Sequence, residues 1–192
     1  MGSILQSLGR TVAVSVVLVI LLAVLGGANV GASVWWTFAM RWLHVVCGIM
    51  WIGLLWYFNF VQIPSMPKIP DEQKPAIGKV IAPTALFWFR WAALATVVTG
   101  LLVAMMSGYI VKALMFQAGF LAIGIGMWLA LIMAFNVWFI IWPNQKKALG
   151  IVAVEAAEKA AAARTAMLTS RINTMLSIPM LFCMVAQQNG GL

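Results

Sequence analysis

Acidic residues are scarce in this chain. Four Asp and Glu stand against twelve Lys and Arg, and all four, Asp71, Glu72, Glu155 and Glu158, fall between the apolar runs. That excludes the intramembrane acidic relay on which proton pumps depend. A single histidine, His44, excludes bis-histidine metal ligation within one chain, and no Ser/His/Asp or Cys/His set with an orienting acid supports hydrolysis. The two cysteines, Cys47 and Cys183, lie inside apolar stretches as small hydrophobes; they form neither a CxxCH haem-attachment motif nor a zinc spacing. Charged residues make up 8% of the chain, against roughly 25% in soluble domains. The net charge of +8 comes with no aromatic-interleaved basic patch, so nucleic acid is excluded as a partner.

What the chain has in abundance is apolar sequence: 64% of its 192 residues, with a mean hydropathy of +1.02. The expected fold is all-α, a polytopic transmembrane bundle of about five spans forming one domain over residues 1–192. Thr11 to Val24 is unbroken apolar sequence behind Arg10. Its character continues to about Ala32, too long for a signal-peptide core, so a first span is expected over 9–32. The second, 34–61, exceeds a hydrocarbon core of roughly 30 Å and must tilt or project. Trp35 and Trp36 at one end, with Trp56, Tyr57 and Phe58 at the other, have the placing of interfacial aromatic belts. It stops before Pro64, and Ser65 to Lys79 reads as a surface loop.

A third span is expected over 83–106 with Pro83 in its first turn. A fourth covers 113–142 and is stopped by Pro143, with Gly119, Gly124 and Gly126 as small residues for close helix packing. Residues 144–171 read as a cytoplasmic helical segment, where Glu155 and Lys159 have ion-pair spacing, leading into a fifth span over 165–187 that contains Pro179. Counting basic residues in the connections gives nine on the side of the N-terminus, from Arg10 to Arg171, and Lys112 alone on the other. The positive-inside rule then puts the N-terminus in the cytoplasm and Gln187 to Leu192 outside.

Two groups of polar residues stand out. Arg41, His44, Gly48, Trp51, Leu55 and Asn59 recur every three or four residues and share one face of the second span. Gly48 would clear space for the imidazole. There, His44 is a candidate metal ligand for haem or copper; it could equally hydrogen-bond a neighbouring helix. A second axial ligand would come from methionine, with Met40, Met50, Met105 and Met106 as candidates, from Cys or water, or from another subunit. The second group, Asn59, Gln62, Arg90, Asn136 and Asn173, is expected at one depth near the cytoplasmic side. It is either an interhelical clamp or an anion or quinone-headgroup site around Arg90.

The runs RWLHVVCGIMWIGLLWYFNFVQIP, FWFRWAALATVVTGLL, NVWFIIWPNQKKALG and RINTMLSIPMLF, in that order, resemble the N-terminal membrane domain of the PuuD-type, cytochrome-linked urate oxidases. More distantly, Leu43-His44 followed by Trp51-x-Gly53 resembles HemJ-type protoporphyrinogen oxidases and copper-resistance membrane domains. The HemJ likeness implies b-type haem on His44. The chain has no CxxCH, and Gln187 and Gln188 stand where the urate oxidase likeness implies a histidine. The resemblance therefore implies a short form that passes electrons to a separate cytochrome c or quinone. The residues expected to contact a cofactor, haem b, are His44, Arg41, Arg90, Asn59 and Asn136. Lipid of the bacterial inner membrane, other membrane subunits or a second copy are the expected partners. The competing expectation is a non-catalytic accessory subunit of a larger membrane complex. A channel or transporter has least support, since no internal repeat or charged pathway is visible.

Overall fold

The computed structural model describes residues 2–190; Met1, and Gly191 and Leu192 at the expected outer end, lie outside the described residues. Every regular element among them is helical. Five helices are long and apolar enough to cross a membrane: α1 (Leu8–Leu25), α2 (Ser33–Lys68), α3 (Lys74–Met106), α4 (Leu121–Ala148) and α5 (Ala156–Asn189). The chain divides into two compact units, Met1–Ala39 and Met40–Leu192.

In the first unit, none of the residues of α1 is buried. The helix stops at Leu25, short of the expected Ala32, because Gly27 takes φ 71°. That conformation, which glycine adopts freely, closes a Schellman motif in which the Ala28 N–H donates to the Ala23 carbonyl at 2.9 Å. Beyond it the Trp36 indole donates to the Val30 carbonyl at 2.9 Å.

In the second unit three helices run through prolines expected to bound them. Each is preceded by a π turn: Tyr57–Gln62 before Pro64, Ile77–Ile81 before Pro83 and Asn136–Ile141 before Pro143. A proline ring presses on the carbonyl four residues back and offers no N–H, and the wider i→i+5 turn absorbs both defects. So α2 continues to Lys68, α3 starts at Lys74 with Pro83 inside it, and α4 continues to Ala148. The expected surface loop shrinks accordingly to a few residues around Asp71. Here Lys74 pairs with Asp71, holding that carboxyl below its usual range.

The fourth span begins later than Ala113. Ile110–Leu114 is a separate short helix, and the chain turns through Phe116 and Gly119, at φ 52° and 79°, before α4 starts at Leu121. Gly119 therefore belongs to the turn, whereas Gly124 and Gly126 do pack helices. A Cβ on Gly124 would fall 2.2 Å from the Ala113 carbonyl oxygen, and one on Gly126 would fall 3.1 Å from Cβ of Cys183. The expected helical segment 144–171 is divided: its start belongs to α4, residues 149–155 are not helical, and from Ala156 the helix runs into the fifth span without a break. Its Glu155 precedes the first turn with extended backbone, so the pairing with Lys159 does not form, and Glu158 meets Lys147 at 2.7 Å instead.

The core of this unit is centred on Trp51, Leu55, Phe89, Met133, Val137 and Ile141, all essentially inaccessible. Phe58, expected in an aromatic belt, is buried edge-on against Phe89 with ring centroids 5.8 Å apart. The buried face of α5 is small and polar, with Ala166, Ser170, Asn173, Ser177 and Cys183, a composition that lets apolar-solvent helices approach.

Gly124→Ala should destabilise the protein by about 1–3 kcal/mol, since backbone must move to admit the methyl. Gly78, whose Cβ would meet nothing within 4 Å, should accept alanine at no cost. Thermal unfolding of the two variants in detergent checks the contrast.

Candidate functional site

His44 projects from α2 towards α3. Its Nδ1 lies 2.9 Å from the Thr96 carbonyl oxygen and 3.3 Å from Thr99 Oγ1. A carbonyl only accepts and the Thr99 hydroxyl is donated to Ala95 at 2.6 Å, so Nδ1 carries the proton and donates. Nε2 is left with its lone pair free. The room for the ring comes from the facing helix: a Cβ on Gly100 would stand 2.8 Å from His44 Cε1. Gly48, the residue expected to clear that space, receives the Thr96 methyl, which would lie 3.8 Å from its Cβ. No pattern within the second span alone could have revealed Gly100, because the contact depends on which residues of α3 face α2.

His44 and Arg41 line a half-open cavity of about 630 Å³ to which α2, α3, α4 and α5 contribute, within the size range of small-molecule sites. Its walls are mostly apolar. The polar groups are few: Thr96, Tyr109, Gln188 and Asn189 join His44 and Arg41. Burial pushes the Tyr109 phenol up, against the smaller opposing pull of the Arg41 charge, so the phenol is a neutral donor at this cavity. Three methionines, Met127, Met180 and Met184, line the same space. None is among those singled out from sequence; Met50, Met105 and Met106 are exposed and Met40 lies off the cavity wall. Among the described residues no cluster of three or more His, Cys, Asp or Glu could hold a metal ion, so any metal here would be held by His44 with softer or exogenous ligands.

The second polar group divides into separate contacts. Asn136 Nδ2 donates to Asn173 Oδ1 at 2.8 Å, and Asn173 Nδ2 donates to the Met133 carbonyl at 2.9 Å. Asn59 instead joins α5 at Ser170, 2.8 Å away, beside a bond from Trp56 Nε1 to Ser177 Oγ at 2.9 Å. Arg90 meets none of the asparagines. Its guanidinium lies on the Trp142 ring, Cζ 3.4 Å from the centroid. Gln62 Oε1 is buried without a partner. Sequence spacing brought these residues to one depth but could not say which would touch.

The urate oxidase N-terminal family matches residues 101–190, from the last turns of α3 through α5. The similarity to that family covers a little under half of the chain. No curated protein and no solved structure matches the chain. The matched stretch contains the Asn136–Asn173 clamp and the part of the cavity wall with its three methionines. His44, Arg41, Asn59 and Arg90 lie outside the matched residues. Within it, Gln187 ties down the start of α4: its Oε1 accepts from the Ile123 N–H at 3.2 Å and its Nε2 donates to the Gly119 carbonyl at 2.9 Å. Gln188 faces the cavity.

Asn173→Leu removes the partner of two groups at once, the Asn136 amide and the Met133 carbonyl, and should cost about 1–3 kcal/mol. Asn136→Leu removes only one donor and should cost less, which unfolding of both variants in detergent will resolve.

Proposed function

We propose that this is an integral protein of the bacterial inner membrane, N-terminus in the cytoplasm, that holds haem b through His44 and passes electrons to a separate cytochrome c or quinone. One observation carries the reading: the His44 ring is locked by the Thr96 carbonyl with Nδ1 protonated, and it lines an apolar cavity of about 630 Å³. That second-sphere bond is the usual way a protein fixes the tautomer of a ligating imidazole and aims its other nitrogen. The residues fit the group. His44 Nε2 would hold the iron, the thioethers of Met127, Met180 and Met184 would be further donors, and Arg41 would supply a cation for a carboxylate of the group.

When bound, the haem would supply one-electron chemistry, tuned by axial ligand and burial. The chain's own contribution is orientation of the imidazole, exclusion of water by apolar walls and charge compensation by Arg41. Membrane insertion is supported by the five apolar helices, and the orientation by the nine-to-one distribution of basic residues between the two sides.

Protein purified in mild detergent should show a Soret band and a dithionite-reduced α-band. His44→Ala should abolish both while leaving far-ultraviolet helicity unchanged. Gly100→Ala, which drives a methyl into the imidazole, should weaken haem retention more than Gly48→Ala. A featureless Soret region in the wild-type protein, together with co-purification in a larger assembly, would sink the haem reading and favour the accessory-subunit role. Reporter fusions at the two termini should place the N-terminus in the cytoplasm.

A further inference from the structure

Arg90 is the one basic side chain buried among the described residues, at 9% exposure, and it has no hydrogen bond. Its Nη1 is fully buried without a partner. Trp142 covers the guanidinium at 3.4 Å, but an indole face attracts a cation without accepting its N–H protons in the plane of the fork. A second cation reaches the same ring, with Lys146 Nζ 5.7 Å from its centroid. Among the described residues no carboxylate offsets the pair. Asp71 is taken by Lys74 and Glu158 by Lys147, while Glu72 and Glu155 are exposed outside the long helices. Trp138, one turn before Trp142 on α4, adds another buried N–H without an acceptor.

Two positive charges around one indole, with buried donors left over, make a potential that a negative group lowers. A buried charge without a counter-ion is the costly case in apolar surroundings. We propose that Arg90, Trp142 and Lys146, none of which lines the cavity around His44, form a binding site for a small, singly charged anionic group. Nη1 itself is covered by protein, so an occupant meets the guanidinium at its other N–H groups, and the 9% exposure of the residue limits it to something of the size of a halide or the terminal oxygens of a phosphate. A free anion and the phosphate of an anionic lipid share that chemistry. The site is separate from the cavity around His44 and does not depend on haem.

The test is thermal unfolding of the purified full chain in neutral detergent at fixed ionic strength. Chloride replaces gluconate stepwise, and a parallel series adds phosphatidylglycerol in gluconate alone. The expected result is a saturable rise in Tm of about 3 °C or more in one of the two series. The responding series identifies the source as a free anion or a lipid phosphate. Arg90→Gln should abolish the response, and Lys146→Gln, at the partly exposed end of α4, should raise the half-saturating concentration several-fold. If Arg90→Gln does not fold, the wild-type and Lys146→Gln curves decide alone. A wild-type Tm indifferent to both additions would overturn the site. A response equal in wild type and Lys146→Gln would overturn it as well.

Discussion

Asn173 is the contact on which the second unit depends. It is fully buried, accepts from Asn136 and donates to the Met133 carbonyl, so one side chain ties α5 to both a side chain and the backbone of α4. In an apolar solvent no hydrophobic gain distinguishes helix against helix from helix against lipid, and association rests on close packing and interhelical hydrogen bonds. The small residues of α5 supply the first and Asn173 the second. With α5 held to α4, Ser170 and Ser177 on the same face are in place to meet Asn59 and Trp56 of α2. Failure at Asn173 would leave buried polar groups on both helices without partners.

The π turns belong to the same arrangement. All three lie at one end of the four helices, two of them at the residues that cross-link: Asn59 is inside the turn of α2 and Asn136 opens the turn of α4. A π turn rotates everything beyond it relative to a regular helix, so it sets which side chains face the bundle as well as relieving the prolines. This is also why helix ends were the least legible part of the fold. Reading Pro64, Pro83 and Pro143 as boundaries follows the ordinary behaviour of proline in a regular helix, and only the adjoining wide turns let the helices pass through. The presence and order of five apolar helices was legible, because apolar run length does not depend on such local detail.

The site was half legible for a related reason. Periodicity placed Arg41 and His44 on one face of one helix, and both line the cavity. It could not supply Thr96 and Gly100, which come from α3 and determine the tautomer and the room of the imidazole. The methionines were misjudged likewise: composition offers thirteen, and only the packing of α4 and α5 brings Met127, Met180 and Met184 to the cavity. At the other end Asn136 and Asn173 met as a clamp, but Arg90 found the Trp142 indole at the expected end of the fourth span, with Lys146 beyond it on the extension of α4.

That extension connects the two ends of the bundle through charge. Because α4 continues past Pro143, Lys146 stays on the same helix as Trp142 and reaches its ring, and the buried arginine is covered by an indole where an acid would ordinarily stand. At the opposite end Arg41 lines a cavity whose remaining polar groups are neutral, Tyr109 among them. With Asp71 and Glu158 paired to lysines and Glu72 and Glu155 exposed, no side-chain carboxylate among the described residues compensates either arginine. In the functions proposed above, that negative charge comes from what the protein binds, a carboxylate-bearing cofactor beside Arg41 and a small anionic group beside Arg90. On that reading the scarcity of acid leaves one buried and one cavity-lining arginine to act in recognition, whereas in an acid-rich bundle the same two would be consumed by internal ion pairs.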